Sequence, residues 1–357
     1  MNILYVTTCL GPGGAQIQIC NLADNMKNKG HNVMIVSLRD DITIVPETDV
    51  DVISLGLEKN IYSFINCLVK LKKIIKNFNP DIVHSHMIHA NFFTRISKLF
   101  SKINCLINTA HSSNEGGSAM MRFYGMTDKL CDLTTNVSRE AVNIYIEKKA
   151  SFKGKIICHY NGIDTRKFSR TNSDYFHETY KLPFGSKVLL AIGRLTEAKD
   201  YPNLLKAFET LNDPSAYLFI VGEGELEAEL KHLSSENIYS ENIYFLGSRK
   251  DIPLLLSSCD TFVLSSKWEG FGLVVAEAMS CECNVVATDC GGVREVLGKH
   301  GILVESMNTS LLGLALKKSL SLKKGSNEKG RKHVVGNFDI NVIADMWEQT
   351  YVTRMKN

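Results

Sequence analysis

The feature that most constrains this chain is a succession of short apolar runs without polar alternation, each leading into a longer segment of helical period. "NILYVTT" precedes "AQIQICNLADNMKNKG", and "HNVMIVSL" and "DVDVISLGL" precede "IYSFINCLVKLKKIIKNF". A strand with one wet face alternates apolar and polar residues. A strand covered on both faces does not, and parallel sheets flanked by helices are where such strands occur. "DIVHSH", "CLINTAH", "LTTNVS" and "KIICHYNGID" continue the series. It restarts at "KVLLAIGR" and runs through "AYLFIVGEGE", "NIYFLGS", "TFVLSS", "NVVATDCGG" and "GILV". The pattern predicts an α/β protein with two Rossmann-like doubly wound sheets, one after the other. The length of 357 residues agrees, since one core rarely holds so many.

The expected division is a first domain over 1–170 and a second over 171–339. The polar stretch Thr165 to Ser186 reads as the linker region. In the first domain, Ile61, Phe64, Ile65, Leu68, Leu71 and Ile75 recur at helical spacing and predict one inward face. The chain closes on a further helix, "VIADMWEQTYVTRMKN".

Composition excludes several classes. A net charge of +3 argues against a nucleic-acid partner. No apolar run reaches the roughly 18–20 residues that span a bilayer. "MNILYVTTCL" lacks a basic leader and reads as a first strand, not a signal peptide. The ten cysteines are scattered, with no C-x-x-C pair, and predict reduced thiols in a cytoplasmic protein. Cys281 and Cys283 are too close for a usual zinc pair, so no metal site is expected there.

In open parallel sheets, ligands sit beyond the carboxyl ends of the strands. Two such domains facing each other would form a cleft from two sets of strand-end loops. After the first strand comes "CLGPGGAQ", where Gly13 and Gly14 open a helix and let backbone approach a phosphate or sugar. The stretch nearly matches the dinucleotide fingerprint, but Gln16 stands where the third glycine belongs. A plain tight turn is the other reading. After "LINTA" comes His111, in the polar loop "HSSNEGGS", as a ligand-polarising group or a solvated loop residue. His84, His86 and His89 lie on or just past a strand and read as cleft lining or structural residues.

After "VLLAI" comes "GRLTEAKDYPNLLKAF". Arg194 and Lys199 place two cations at a strand end and a helix start. They read as a diphosphate clamp or as solvated surface charge. After "TFVLSS" comes "KWEGFGLVVAEAMSC", with Glu269 before a helix and Glu277 inside it. Gly270 and Gly272 clear space, so that free amides at the helix start can face an anion. A carboxylate accepting two hydroxyls suits a vicinal diol, so Glu277 is read as a ribose ligand and Glu269 as a sugar ligand. Asp49-Val50-Asp51 is expected inside a strand and is not read as a metal site.

Taken together, "GPGGAQ", "NGID", "GRLTEAKDYPNLLKAF", "VGEGE", "SSKWEGFGLVVAEAMSC" and "ATDCGGVREVL" resemble, in order, the retaining glycosyltransferases of family 4, of GT-B fold. The resemblance covers nearly the whole chain. It implies that Arg194 and Lys199 bind the donor diphosphate, that Glu277 binds the ribose and that Glu269 contacts the donor sugar. It also implies that backbone around Phe271, Gly272, Leu273 and Val274 meets the phosphates and that His111 lies near the transferred sugar. The "GSRKD" loop, with Arg249, would read the nucleobase. The last helix, 340–357, would cross back onto the first domain. The implied activity is a retaining, metal-independent transfer of a hexose or N-acetylhexosamine, with no cofactor. The implied donor is a nucleotide sugar, UDP-linked first and GDP-mannose second. A lipid-linked or saccharide acceptor is expected, carried on polyprenyl diphosphate in surface-polysaccharide synthesis.

Between Lys59 and Lys102 there are eight basic residues and one acidic, Asp81. Lys70, Lys73 and Lys76, with Phe92, Phe93, Arg95 and Lys98, suggest contact with an anionic membrane surface at the inner face of the plasma membrane. An ordinary solvated helix face is the other reading. Three rivals remain at this stage: a nucleotide-sugar epimerase of the same fold, an NAD-dependent oxidoreductase argued from "GPGGAQ", and a non-catalytic binding module.

Overall fold

The computed structural model describes residues 1–113 and 116–355. The chain divides into two compact units, Met1–Gly162 with Ile340–Asn357, and Ile163–Asp339. The first holds strands β1 (Asn2–Thr7), β2 (Asn32–Ser37), β3 (Asp51–Ser54), β4 (Ile82–His86), β5 (Leu106–Ala110), β6 (Leu133–Asn136) and β7 (Ile156–Cys158). They form one sheet in the order β3-β2-β1-β4-β5-β6-β7. Every pairing is parallel.

The second unit holds β8 (Lys187–Ile192), β9 (Ala216–Val221), β10 (Ile243–Phe245), β11 (Thr261–Leu264), β12 (Asn284–Asp289) and β13 (Ile302–Glu305). Their order is β10-β9-β8-β11-β12-β13, again parallel throughout. β4, β5, β6 and β11 are buried at every residue, as the absence of polar alternation requires.

Each sheet has apolar layers on its faces. In the first unit, Ile3, Tyr5, Ile19, Leu22, Met26 and Ile35 pack with Ile343, Trp347 and Tyr351 of the last helix, Ile340–Met355. That helix is tied to the strands by its ring hydroxyl: Tyr351 bonds Tyr5 at 3.1 Å and His84 Nδ1 at 2.7 Å. At its outer side, Glu348 accepts Lys29 at 2.9 Å and meets His31 at 2.7 Å.

Four features differ from the sequence reading. The chain passes between the units at 162/163, not 170/171. The stretch read as a linker contains the helix Tyr175–Tyr180, whose buried Phe176 sits 4.3 Å from the ring of Phe219 on β9. Its few apolar residues are aromatic, so a count of aliphatics undervalues what it buries.

The helix Ile61–Phe78 starts where Asn60 accepts the Ser63 amide at 2.7 Å and stops at Asn79, in the left-handed region, before Pro80. Its inward face is Cys67, Leu71 and Ile75, flanked by Phe64 and Leu68. Ile61 and Ile65, expected inside, are 64% and 53% exposed, and they join Tyr62 and Val69 in an outward apolar stripe. The sequence shows two apolar faces on this helix, and only packing decides between them.

Two helices near the end, Thr309–Leu320 and Glu328–Phe338, were not anticipated. The first lays Leu312, Ala315, Leu316 and Leu320 into the core of the second unit.

Candidate active site

In the second sheet β8 and β11 are neighbours, while β8 continues to β9 on one side and β11 to β12 on the other. This is the topological switch point, where the loops leaving two adjacent strands diverge and open a crevice at their carboxyl ends. The loop after β8 carries Arg194 and Lys199, and the loop after β11 carries Glu269. The two are stitched together by backbone. Lys267 N–H donates to the Ala198 carbonyl at 2.8 Å, and the Ser265 hydroxyl donates to the Lys199 carbonyl at 2.7 Å.

The Lys199 ammonium forms an ion pair with the Glu269 carboxylate, which also accepts the Ser266 hydroxyl at 2.8 Å. Both side chains are mostly buried, at 20% and 13% exposure, so the pair is screened less than a surface one. Lys267 meets Asp200 at 3.8 Å and Glu197 at 3.6 Å. Arg194 is exposed and pairs with no carboxylate among the described residues.

Two glycines let the loops approach. Gly222, after β9, has φ +135°, and a Cβ there would lie 2.0 Å from the Gly193 carbonyl oxygen. Gly291, after β12, has φ +55°, and its Cβ would lie 1.9 Å from the Glu269 carbonyl oxygen. Only glycine accepts both the backbone angle and the contact.

Gly272, at φ +88°, turns the chain into the helix Leu273–Ser280. Its carbonyl accepts Val275 N–H at 2.9 Å, so the Leu273 and Val274 amides precede the first intrahelical bond and have no acceptor among the described residues. Phe271 is buried edge-on to Phe338, 5.5 Å between rings, and fixes the start of the helix.

Glu277 lies on the second turn of this helix and has no hydrogen-bond or ion-pair partner among the described residues. Its residue surface is only partly covered, yet the carboxyl is deep enough that lost hydration pushes it from 4.5 up to about 7, with Lys167 opposing. Without ligand, folding favours the protonated form. Stability is therefore full below pH 4.5 and falls as pH rises towards about 7, because the unfolded chain has already lost that proton. Thermal denaturation from pH 4 to 8 is expected to show a falling Tm across this window that is flattened in Glu277→Gln. Identical slopes would mean that Glu277 ionises at its ordinary value.

Arg249 stands apart, at the end of the outer strand β10. Its guanidinium bonds Asp251 at 2.8 and 2.6 Å and the Tyr175 hydroxyl at 2.9 Å. No described contact joins it to the Lys199–Glu269 cluster.

The first sheet has its own switch point, between β1 and β4. Gly13 precedes the helix Gly14–Asn28, and Gln16 in its first turn lies 3.6 Å from both Cys9 and Met87 sulfur. Gln16 thus packs a side chain between helix and strand ends where the dinucleotide fingerprint has its third glycine for close helix–strand packing. His111 follows β5 and places Nε2 3.1 Å from His86 Nδ1. Burial pushes His111 down to about 4 and His86 well below its ordinary value, so both rings are neutral at pH 7. Asn114 and Glu115 of this loop lie outside the described residues.

The sequence reading did not single out Ser266, Tyr201 or Thr288. Tyr201 donates to the Gly193 carbonyl at 3.0 Å, and Thr288 donates to the Ser266 carbonyl at 2.7 Å. Tyr201 and Thr288 hold loop backbone and Ser266 holds the Glu269 carboxylate, and only the doubled serine before "KWEG" and the threonine in "ATDCGG" hint at it. Among the described residues no group of three His, Cys, Asp or Glu is arranged to hold a metal, and no helix is long and apolar enough to cross a membrane.

Two parallel α/β sheets with strand-end loops of this kind define the GT-B class of fold. The model for Glycosyltransferase Family 4 matches residues 12–167, and that for Glycosyl transferases group 1 matches residues 173–333. The chain therefore belongs to these glycosyltransferase families.

Among its relatives is the N-acetylgalactosamine-N,N'-diacetylbacillosaminyl-diphospho-undecaprenol 4-alpha-N-acetylgalactosaminyltransferase of Campylobacter jejuni. It is 26% identical over 342 residues, covering 90% of this chain and 92% of that protein. The UDP-Gal:alpha-D-GlcNAc-diphosphoundecaprenol alpha-1,3-galactosyltransferase of Escherichia coli is 26% identical over 311 residues, covering 81% of this chain and 80% of that one. Anabaena HepE, solved with UDP, superposes with a TM-score of 0.84 at 19% identity, over 99% of this chain and 100% of that one.

Proposed function

We propose that this glycosyltransferase moves a hexose or N-acetylhexosamine from a UDP-sugar to a polyprenyl-diphosphate-linked acceptor in surface-polysaccharide synthesis. The observation that carries the reading is the convergence, at one switch point, of the Lys199–Glu269 pair, two free helix amides and the unpartnered Glu277. A nucleotide sugar presents hydroxyls, a diphosphate and a ribose diol in a row, and this set offers a matching partner for each.

We assign Arg194, Lys199 and the amides of Leu273 and Val274 to the diphosphate. Glu277 is assigned to the ribose, Glu269 to hydroxyls of the donor sugar, His111 to the transferred sugar and Arg249 to the base side. Gly13 and Gly14 are assigned to donor binding. The names of the relatives, which specify undecaprenyl diphosphate acceptors and in one case a UDP donor, support this choice over GDP-mannose.

The chemistry asks for positive potential where the leaving diphosphate gains charge, and Lys199, Arg194 and the helix amides supply it without a metal ion. In the proposed step the anomeric C–O bond to phosphate breaks and the acceptor oxygen bonds the same face of that carbon. The acceptor proton passes to the departing phosphate oxygen. No carboxylate is assigned as a nucleophile, in contrast to most retaining glycosidases. The test is proton NMR of the sugar released by slow hydrolysis of UDP-galactose and UDP-N-acetylgalactosamine in EDTA. The α-anomer is expected first; initial release of the β-anomer would contradict retention.

The same reading places the enzyme at an anionic membrane surface. The outward stripe Ile61, Tyr62, Ile65 and Val69 shares a helix with exposed Lys72, Lys73 and Lys76, an arrangement suited to the headgroup region. Sedimentation is expected with vesicles of anionic phospholipid and not with phosphatidylcholine alone, and to fall several-fold in Ile65→Asp. Equal binding to both vesicle types would remove the electrostatic part of this reading.

A further inference from the structure

The helix Thr309–Leu320 carries leucines on two faces, and only one of them is used by the core. Asn308 starts the helix by accepting the Leu311 amide at 3.1 Å. Leu312, Ala315, Leu316 and Leu320 then enter the core of the second unit. Gly313 fixes the rotation: a Cβ there would lie 2.1 Å from the Thr210 hydroxyl, on the helix Tyr201–Thr210. With those positions turned inward, the helical period turns Leu311, Leu314, Lys317 and Lys318 outward. Leu311 is 42% exposed and Leu314 65%, and both lysines are exposed. Met307 before the helix and Leu322 after it are exposed as well.

A lone exposed leucine is ordinary. Here the charge around the leucines says what would cover them. From Ser306 to Asn327 the chain carries four lysines and no aspartate or glutamate. The acids at its borders are engaged. Glu305 accepts the Asn308 side chain at 3.2 Å, Glu209 accepts the Ile238 amide at 3.4 Å, and Asp174 pairs with Lys324 at 3.0 Å. Lys317, Lys318 and Lys323 have no carboxylate partner among the described residues. The centres of protein–protein contacts favour aromatic rings and arginine and are poor in lysine. This face has leucine, methionine and lysine, with no ring and no arginine. Such a face suits a lipid surface, where leucines reach the acyl boundary and lysine stems lift their charge to anionic headgroups.

We propose that the outward face of Thr309–Leu320 docks the second unit onto an anionic phospholipid surface. Leu311 and Leu314 enter the apolar boundary, and Lys317, Lys318 and Lys323 meet the lipid phosphates. This contact is separate from the stripe on Ile61–Phe78 and does not rest on it.

The test is sedimentation of the full chain with vesicles of phosphatidylglycerol and phosphatidylcholine. Binding is expected to fall several-fold in Leu314→Asp and in the double variant Lys317→Glu, Lys318→Glu, and to persist in Lys317→Arg, Lys318→Arg. Tm and the hydrolysis of UDP-galactose are expected to stay unchanged in all three, since these side chains are exposed and none is assigned to the donor. Wild-type binding in both Leu314→Asp and the glutamate variant, with loss in Ile65→Asp, would overturn this inference and leave the first-unit stripe as the membrane contact. Loss in Leu314→Asp and the glutamate variant, with none in Ile65→Asp, would uphold it and remove the stripe. A dimer in velocity sedimentation that Leu314→Asp splits, with vesicle binding unchanged, would make this face a contact between copies of the chain and also overturn the inference.

Discussion

Lys199→Ala is expected to lower kcat/KM for the nucleotide sugar by about a hundredfold to a thousandfold, the usual cost of removing one fixed donor from a developing anion. Of the two cations assigned to the diphosphate, Lys199 is held the more firmly. Its backbone is pinned by Ser265, and its ammonium is steered by Glu269. Arg194, exposed and unpaired among the described residues, adds charge with less fixed geometry, and Arg194→Ala is expected to cost less. Removing Lys199 also leaves the Glu269 carboxylate mostly buried with only the Ser266 hydroxyl as partner. Thermal denaturation of Lys199→Met separates the two effects. A preserved Tm with lost turnover assigns the loss to the reaction, whereas near-normal kcat/KM would remove Lys199 from the diphosphate site.

The second large effect is on folding. Arg95→Met is expected to destabilise the first unit by about 3–5 kcal/mol, the range for breaking one side of a buried ion pair. Arg95 and Asp128 are fully buried and 3.0 Å apart. The guanidinium is otherwise saturated: Nε donates to Asn108 at 2.6 Å, and Nη1 to the Tyr124 carbonyl at 2.8 Å and Thr127 at 2.9 Å. It also lies 3.9 Å from the centre of the Tyr124 ring.

Methionine replaces the stem but takes the buried cation from Asp128, which keeps the Thr134 and Ser151 hydroxyls and Lys155 at 3.9 Å. The double variant Arg95→Met, Asp128→Leu is therefore expected to lose less than the sum of the single changes. Urea denaturation followed by fluorescence measures this, and a loss below about 1 kcal/mol for Arg95→Met would mean that the pair is not closed in solution. Arg95 bridges β5 and the helix Gly117–Thr127, on either side of the loop that begins at His111, so its loss is also expected to loosen that loop.

Arg95 marks what the sequence could and could not show. It read as one of a group of surface cations, because a lone Arg on a helix is usually solvated and nothing local reveals Asp128, thirty-three residues on. The strand pattern was legible because burial on both faces leaves an unmistakable apolar run, as in "KVLLAI" and "TFVL". The loops of the second unit were marked only by motifs such as "VGEGE" and "ATDCGG"; that Gly222 and Gly291 stand where no side chain fits emerges from the fold.

The choice between two apolar faces on Ile61–Phe78 was not legible, since both have helical period and only contact with Phe93 and the sheet selects one. The same holds for His86. Alternation placed it on a strand, but its partner is set by strand order and register, which composition does not carry.

The most direct measurement of the central claim is titration calorimetry of the full chain in EDTA with UDP, GDP, ADP and NAD. The reading of the second unit predicts that UDP binds in the micromolar range without metal and at least tenfold more tightly than the others, and that Lys199→Ala and Glu277→Ala each weaken it about tenfold or more. Tightest binding of GDP would keep the site and change the base. Binding of NAD alone, or UDP binding untouched by both substitutions, would contradict the account.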